Sequence, residues 1–388
     1  MSRYRLCPTV EQKKVLLEHC AHARFVFNLG NEQRRMYRPG RRRAPIWSEQ
    51  SRQLTEAREA EPWLAAGSAV VQQQALRDLD EAWCHFFAGR CRRPGFRKQG
   101  KHEGFRIVGK RGSVWDTRRL SRHVGEVRIP KIGWVRFRWS RAVPPEVKSF
   151  RVTLDRSGRW HVAFAAIPKP VAGPGTGEVV GIDRGVTVTL ALSSGELFKA
   201  PAPSARTKRL ARELSRAKRG SNRRQCAKVR LARTTARDRD RRKDWYEKAS
   251  TDIARRFDVI RIEDLDVRNM TRSARGTIEA PGRNVRQKAG LNRSILTQCW
   301  GQFAKRLEDK APGRVEKVKP HFTSQRCSCC GHVDAKSRKS QARFVCTSCG
   351  HSENADLNAA INIAAGHAVT ARGGSQVGPL NREPQIAA

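Results

Sequence analysis

Long apolar runs are missing from this 388-residue chain, and so are acids in numbers that would balance its bases. No stretch approaches the roughly 20 apolar residues of a membrane-spanning helix, which argues against a membrane partner. The opening Met1-Ser2-Arg3-Tyr4-Arg5 leads into no apolar core and does not read as a signal peptide. No segment repeats. A secreted disulfide scaffold would be shorter and would spread paired cysteines throughout. Here the cysteines number eleven, an odd count, and five crowd between Cys327 and Cys349. That distribution suits a reducing cytoplasm and a metal site; Cys7, Cys20, Cys84, Cys91, Cys226 and Cys299 read as small apolar residues or inert thiols. Acidic side chains number 36 against 79 Lys and Arg, a formal charge of +43. Such a surface attracts a polyanion, and nucleic acid is the expected partner, with a cytoplasmic, nucleoid-associated location.

Apolar content is ordinary for a globular protein, so a core can form. Three helices are expected first, at 9–37, 48–61 and 68–88. Thr9 and Gln12 make a capping box, and Leu16, Cys20, Ala23 and Phe27 share one face. Residues 89–111 read as a basic loop with few apolar anchors, a candidate nucleic-acid contact. From Val127 to Phe164 the period is two, with a hairpin turn at Asp155-Arg156-Ser157-Gly158. Pro168, Pro170, Gly173, Pro174 and Gly175 form a linker, so the first region is placed at 1–172. A second region, 173–366, starts with an apolar strand ending on Asp183. A long basic helical stretch covers about 204–257, broken near Gly220. A strand ends on Glu263, a polar loop follows over 268–290, and a helix near 291–311 precedes a strand from Val315. Asp356 opens the final helix. Residues 367–388 read as a disordered tail.

Two constellations carry chemistry. Cys327-x2-Cys330, fifteen residues, then Cys346-x2-Cys349 matches a four-thiolate zinc ribbon, placed at 321–352. Cys330 keeps the two-residue gap and Cys329 does not. Four thiolates close the coordination shell, so the zinc is structural. The second constellation is Asp183, Glu263 and Asp356. Taken singly, an acid at a strand end is a turn former and one at a helix start an N-cap. Together they have the order of an RNase H-like nuclease, whose acids gather two divalent metals. Magnesium, with manganese as its substitute, demands such hard oxygen ligands. Asp264 and Asp266 read as local turn groups.

Gly181-Ile182-Asp183-Arg184-Gly185-Val186, Ile262-Glu263-Asp264-Leu265 and Asp356-Leu357-Asn358-Ala359-Ala360-Ile361-Asn362-Ile363 resemble the three RuvC motifs of TnpB proteins. Thr323-Ser324-Gln325-Arg326-Cys327-Ser328 is similar to that family's lead-in to its zinc ribbon, Leu291-Asn292-Arg293-Ser294 to the helix before it, and Tyr4-Arg5-Leu6 to its N-terminus. The likeness runs through nearly the whole chain in order. It departs at Arg184, where many relatives have an apolar residue, and at Asn354-Ala355, where others carry an acid and a base. The resemblance implies an α+β multidomain protein: an N-terminal helical bundle with a small β-barrel, then a RuvC-like α/β domain with an inserted ribbon. It also implies catalytic roles for Asp183, Glu263 and Asp356, a guide RNA, a target DNA, and RNA-guided cleavage beside a short adjacent motif. A transposase joining DNA ends with the same acids, and a non-cleaving DNA-binding regulator, are the rival readings.

Overall fold

The computed structural model describes residues 2–36, 44–101, 103–166 and 169–366; the expected tail at 367–388 lies outside them. The chain divides into two compact units, Met1–Ile167 with Arg206–Ala236, and Pro168–Ala205 with Arg237–Ala388. No helix among the described residues is long and apolar enough to cross a membrane.

The first unit begins with β1 (Ser2–Arg5), α1 (Val10–Arg35), α2 (Trp47–Ala60), α3 (Pro62–Ala66) and α4 (Ala69–Phe87). The capping box at α1 is in place, with Thr9 Oγ1 accepting from Gln12 N and Gln12 Oε1 from Thr9 N. Its expected face is buried at Leu16, Cys20, Ala23 and Phe27 and packs on α4. Then come β2 (Gly104–Val108), β3 (Asp116–Arg119), β4 (Val124–Ile129), β5 (Gly133–Arg138), β6 (Ser149–Leu154) and β7 (Trp160–Ala165). The stretch expected as a loop over 89–111 thus contains a strand.

The expected small barrel is not closed. The strands form two open sheets, in the orders β1-β7-β6-β2 and β3-β4-β5, and an isolated bridge links Leu6 to Phe137. Alternation of apolar residues states which face of a strand is buried, and that is the same in a barrel and in stacked sheets. Here aromatic rings from both sheets meet. Tyr4 packs edge-on against Phe137 at 5.4 Å and Phe164 at 5.6 Å, and Trp115 against Phe150 at 5.3 Å.

At the β6–β7 turn, Asp155 Oδ1 accepts from Ser157 N at 2.9 Å and Arg159 N at 3.0 Å. His161, 6% exposed, holds Asp155 Oδ2 at 3.1 Å through Nε2. Burial, then the charge of Arg3, lowers the His161 pKa to about 4. A histidine with a lowered folded pKa is protonated more readily when unfolded, so stability falls as pH drops from about 6.5 towards 4. The loss at the acid end is up to about 3 kcal/mol. Hydrogen exchange at Phe150–Phe164 between pH 7.5 and 4.5 checks this. Protection should fall with acid in the wild type and much less in His161→Gln, and a pH-independent wild type would contradict it.

The second unit contains β8 (Val179–Asp183), β9 (Leu190–Leu192) and β10 (Leu197–Phe198). Next in the chain come α5 (Ala205–Arg216) and α6 (Asn222–Arg256), of which Arg206–Ala236 belongs to the first unit, then β11 (Val259–Glu263) and α7 (Val267–Met270). Next are α8 (Val285–Gln298), α9 (Trp300–Lys310) and β12 (Val315–Val318). A hairpin of β13 (Arg343–Val345) and β14 (Ser352–Asn354) leads into α10 (Ala355–Ala365). Strand order is β10-β9-β8-β11-β12, with β8, β11 and β12 parallel and β9 antiparallel to both of its neighbours, β8 and β10. Buried Tyr246, Ile253 and Phe257 of α6 and Phe303 and Leu307 of α9 join the core of this sheet.

Helix α10 crosses β8 where Gly181 has no side chain. A Cβ there would lie 2.1 Å from Ala360 O and 2.3 Å from Ala364 N, both backbone atoms that cannot step aside. Gly181→Ala is therefore expected to cost about 3 kcal/mol, the upper end of overpacking. A thermal unfolding midpoint equal to wild type would show that the helix lies further from the strand.

Candidate active site

Strands β8 and β11 are parallel neighbours with Ile182 opposite Ile262, which brings Asp183 and Glu263 to one level at the strand ends. Side chains alternate along a strand, so Asp183 shares a face with Gly181, and Glu263 with Arg261. Gly181 touches α10, so this face looks onto that helix. Asp356, Ala360 and Ala364 recur every fourth residue and share one stripe of it. From Gly181 to Asp183 the strand advances about 6.6 Å. From Ala360 back to Asp356 the helix retreats about 6 Å. Helix and strand thus carry Asp356 towards the same end as Asp183.

Asp356 is not the N-cap. Asn354 accepts from Asp356 N at 3.0 Å and Leu357 N at 3.3 Å, leaving the Asp356 carboxylate for another task. Burial first, then the charges of Glu263 and Asp356, push the Asp183 carboxyl up to about 7. Burial likewise raises Glu263 and Asp356 above their ordinary values. Three buried or half-buried oxygen-donor side chains, with Asp183 opposed by the charges of the other two, fit a site for divalent cations, whose charge would relieve that cost.

Several side chains to which sequence reading gave no role complete the site. Thr323 Oγ1 donates to Glu263 Oε1 at 2.6 Å. Arg184, 5% exposed, donates from Nη2 to the Glu263 carbonyl, tying the two strand ends together. Its Nε is buried without a hydrogen-bond partner among the described residues. Arg338 Nη2 lies 3.4 Å from Asp356 Oδ1, and its positive charge acts on all three acids. Asn358 and Asn362, buried one turn apart on α10, donate to Arg326 O at 2.8 and 2.7 Å. Asn362 also donates to Thr323 O at 3.0 Å. The repeated Asn in the last motif thus docks the segment that orients Glu263. Asp264 N donates to Val318 O, and Asp266 caps α7 by accepting from Asn269 N.

Beyond that segment, the four cysteines assemble. One potential ligand atom from each of Cys327, Cys330, Cys346 and Cys349 lies within 4.8 Å of the others. The Cys327–Cys349 and Cys330–Cys346 sulfurs are 3.7 and 3.6 Å apart. Zinc–sulfur bonds of about 2.3 Å at tetrahedral angles demand an edge of about 3.8 Å, so the quartet fits zinc. The two knuckles repeat one geometry. Cys327 N bonds His332 O and Gly331 N bonds Cys327 O; Cys346 N bonds His351 O and Gly350 N bonds Cys346 O. Gly331 and Gly350 have φ of 78° and 71°, the conformation the turn requires. The Cys349 and Ser348 N–H groups lower the Cys346 pKa to about 6, which favours the thiolate. Cys329 is exposed and outside the quartet.

Comparison with known proteins bears on the whole chain. Family models described as "Probable transposase" (OrfB/IS605) and "Cas12f1-like, TNB domain" match residues 161–274 and 300–363. A third, "Helix-turn-helix domain", matches residues 2–41, where Val10–Arg35 is one unbroken helix. The chain is similar to a protein of Escherichia coli K12 named putative RNA-guided DNA endonuclease InsQ, with 36% identity over 98% of this chain and 96% of that one. A putative RNA-guided DNA endonuclease of Streptomyces pristinaespiralis is 33% identical over 96% of this chain and 90% of its own length. A 56-residue segment is 52% identical to a CRISPR-associated endodeoxyribonuclease Cas12f1 of Sulfoacidibacillus thermotolerans, covering 14% of this chain and 13% of that protein.

Proposed function

This chain belongs to the TnpB family of transposon-associated proteins, and from that premise we propose that it is an RNA-guided DNA endonuclease that cuts target DNA by metal-dependent phosphodiester hydrolysis. The observation that carries the reading is the convergence of Asp183, Glu263 and Asp356 at two strand ends and one helix start, with the Asp183 carboxyl pushed up to about 7 by burial first and then by its acidic neighbours. The strand order, three antiparallel strands followed by two parallel ones, supports an RNase H-like, RuvC-type domain.

Asp183, Glu263 and Asp356 would hold magnesium or manganese. Divalent cations bound by such acids supply activation of water and stabilisation of the leaving oxygen of the phosphodiester. The chain's own residues set the stage. Thr323 fixes the Glu263 carboxylate, and Arg184 fixes its backbone. Arg338 places a positive charge beside Asp356, where a phosphate oxygen can be met. Cys327, Cys330, Cys346 and Cys349 would hold structural zinc, keeping Arg338 and Thr323 on either side of the first knuckle in place. The large excess of Arg and Lys binds RNA and DNA through phosphates, while base pairing with the guide supplies sequence specificity.

Purification after expression with its native flanking DNA tests this. One discrete RNA species encoded next to the gene should come with the protein. A mixture of cellular RNAs without enrichment would favour an unguided nuclease or transposase.

A further inference from the structure

The basic segment after α4 is not a loose solvated loop. Asn28 Oδ1 accepts from Arg97 N at 2.7 Å, and Asn28 Nδ2 donates to Arg97 O at 3.0 Å. Buried Asn31 donates to Pro94 O at 3.3 Å, and Arg35 donates to the same oxygen at 2.6 Å. At the helix end, Arg90 N and Cys91 N both bond His85 O. The segment is thus pinned onto α1 and α4, and its exposed side chains have fixed origins.

What it presents is aromatic and cationic. Phe87 is 77% exposed, yet its ring is not free to swing. It lies 5.6 Å from the Trp83 ring at 32° and 5.4 Å from Phe86. Trp83 is in turn locked, its Nε1 donating to Asn31 Oδ1 at 3.2 Å. Arg93 sits over Trp83 at 5.5 Å, and Arg35 over the half-exposed Phe96 at 4.7 Å. Arg90, Arg92 and Arg93 are exposed, and among the described residues no ion pair joins them to a carboxylate, unlike Arg97, which lies 3.7 Å from Asp78. A lone exposed phenylalanine needs no explanation. One braced by a locked tryptophan and flanked by unpaired arginines has the composition of a base-stacking platform beside a phosphate track.

We propose that Phe87, with Arg90, Arg92 and Arg93, is a binding site for unpaired nucleotides of RNA, a base stacking on the Phe87 ring and the arginines holding the adjoining phosphates. The choice of RNA rests on the proposed reading that the chain carries a guide. Duplex DNA offers no open base face, whereas RNA presents splayed bases in loops and ends.

The test uses the full chain freed of RNA by a high-salt wash, with labelled 20-mer oligouridine, oligothymidine of the same length, and a 20-bp DNA duplex as probes. Phe87→Ala should weaken oligouridine binding roughly 5- to 150-fold, the range for one lost stacked base. Phe87→Tyr should retain it, and duplex affinity should not move. The salt dependence should keep its slope in Phe87→Ala and flatten by about 0.7 for each of Arg92→Gln and Arg93→Gln. Ultraviolet crosslinking of oligouridine should mark the peptide around Phe87 in the wild type. Unchanged oligouridine affinity in Phe87→Ala overturns the site. An equal or greater loss for oligothymidine overturns RNA as its occupant. Guided cleavage that survives alongside a silent Phe87→Ala sinks only this site. An intact Phe87 effect with no guided cleavage sinks the functional reading instead.

Discussion

Cys346→Ser is expected to release the ribbon's zinc and unfold the segment from Thr323 to Asn354, whereas Cys329→Ser should leave both nearly unchanged. Cys346 belongs to the quartet, at 3.6 Å from Cys330, and is buried; Cys329 is exposed and outside it. Zinc binding in small four-ligand modules is worth on the order of 10–16 kcal/mol, more than the packing of so short a segment replaces. The damage should travel to the acids, because Thr323 and Arg338, on either side of the first knuckle, touch Glu263 and Asp356. Metal analysis should find one zinc per wild-type chain and per Cys329→Ser chain, and far less in Cys346→Ser. Equal loss from both serine variants would mean that the ligand set is misassigned.

The larger effect is on chemistry. Asp183→Asn keeps the shape of the side chain and removes its charge. Cleavage of a guide-matched DNA should fall on the order of 10³-fold or more, since the variant would strip a proposed metal ligand from the charge-stabilising centre. Folding should not suffer. The Asp183 carboxyl is pushed up to about 7 by burial and by Glu263 and Asp356, so its charge is a burden in the metal-free fold. The unfolding midpoint in chelator should therefore equal or exceed that of wild type, and RNA binding should be unchanged. A midpoint several degrees lower would show Asp183 to be a structural group.

How far could this arrangement be read from sequence? The cysteine quartet is legible because ligand spacing is local: each knuckle is set by its own two-residue gap and following glycine. The strand ends at Asp183 and Glu263 are legible because an apolar run that stops on an acid is also local. The Asp356 position left two local readings open, cap or ligand, and Asn354 takes the cap. What could not be read depends on distant partners. Arg184 meets Glu263 across 79 positions, and Thr323 meets Glu263 across 60. The barrel expectation failed for a related reason, since the period of a strand does not encode where its sheet ends. Along the last turns of α6 and just past its end the buried residues are Tyr246, Ser250, Ile253, Ala254 and Phe257, while Trp245 and Ala249 are only partly buried. The helix expected over 291–311 is two helices, divided at Cys299, which adopts φ 51°. A non-glycine residue in that conformation gives no signal in sequence.

The most direct test of the account is a plasmid cleavage assay with the purified chain, its co-purified RNA removed or supplied, on targets that match or mismatch the guide. The wild type should cut the matched plasmid in magnesium with RNA present, and leave it intact without RNA, with a mismatched target, or in chelator; Asp183→Asn should cut under none of these conditions. Equal cutting with and without RNA, or wild-type cutting by Asp183→Asn, would contradict it.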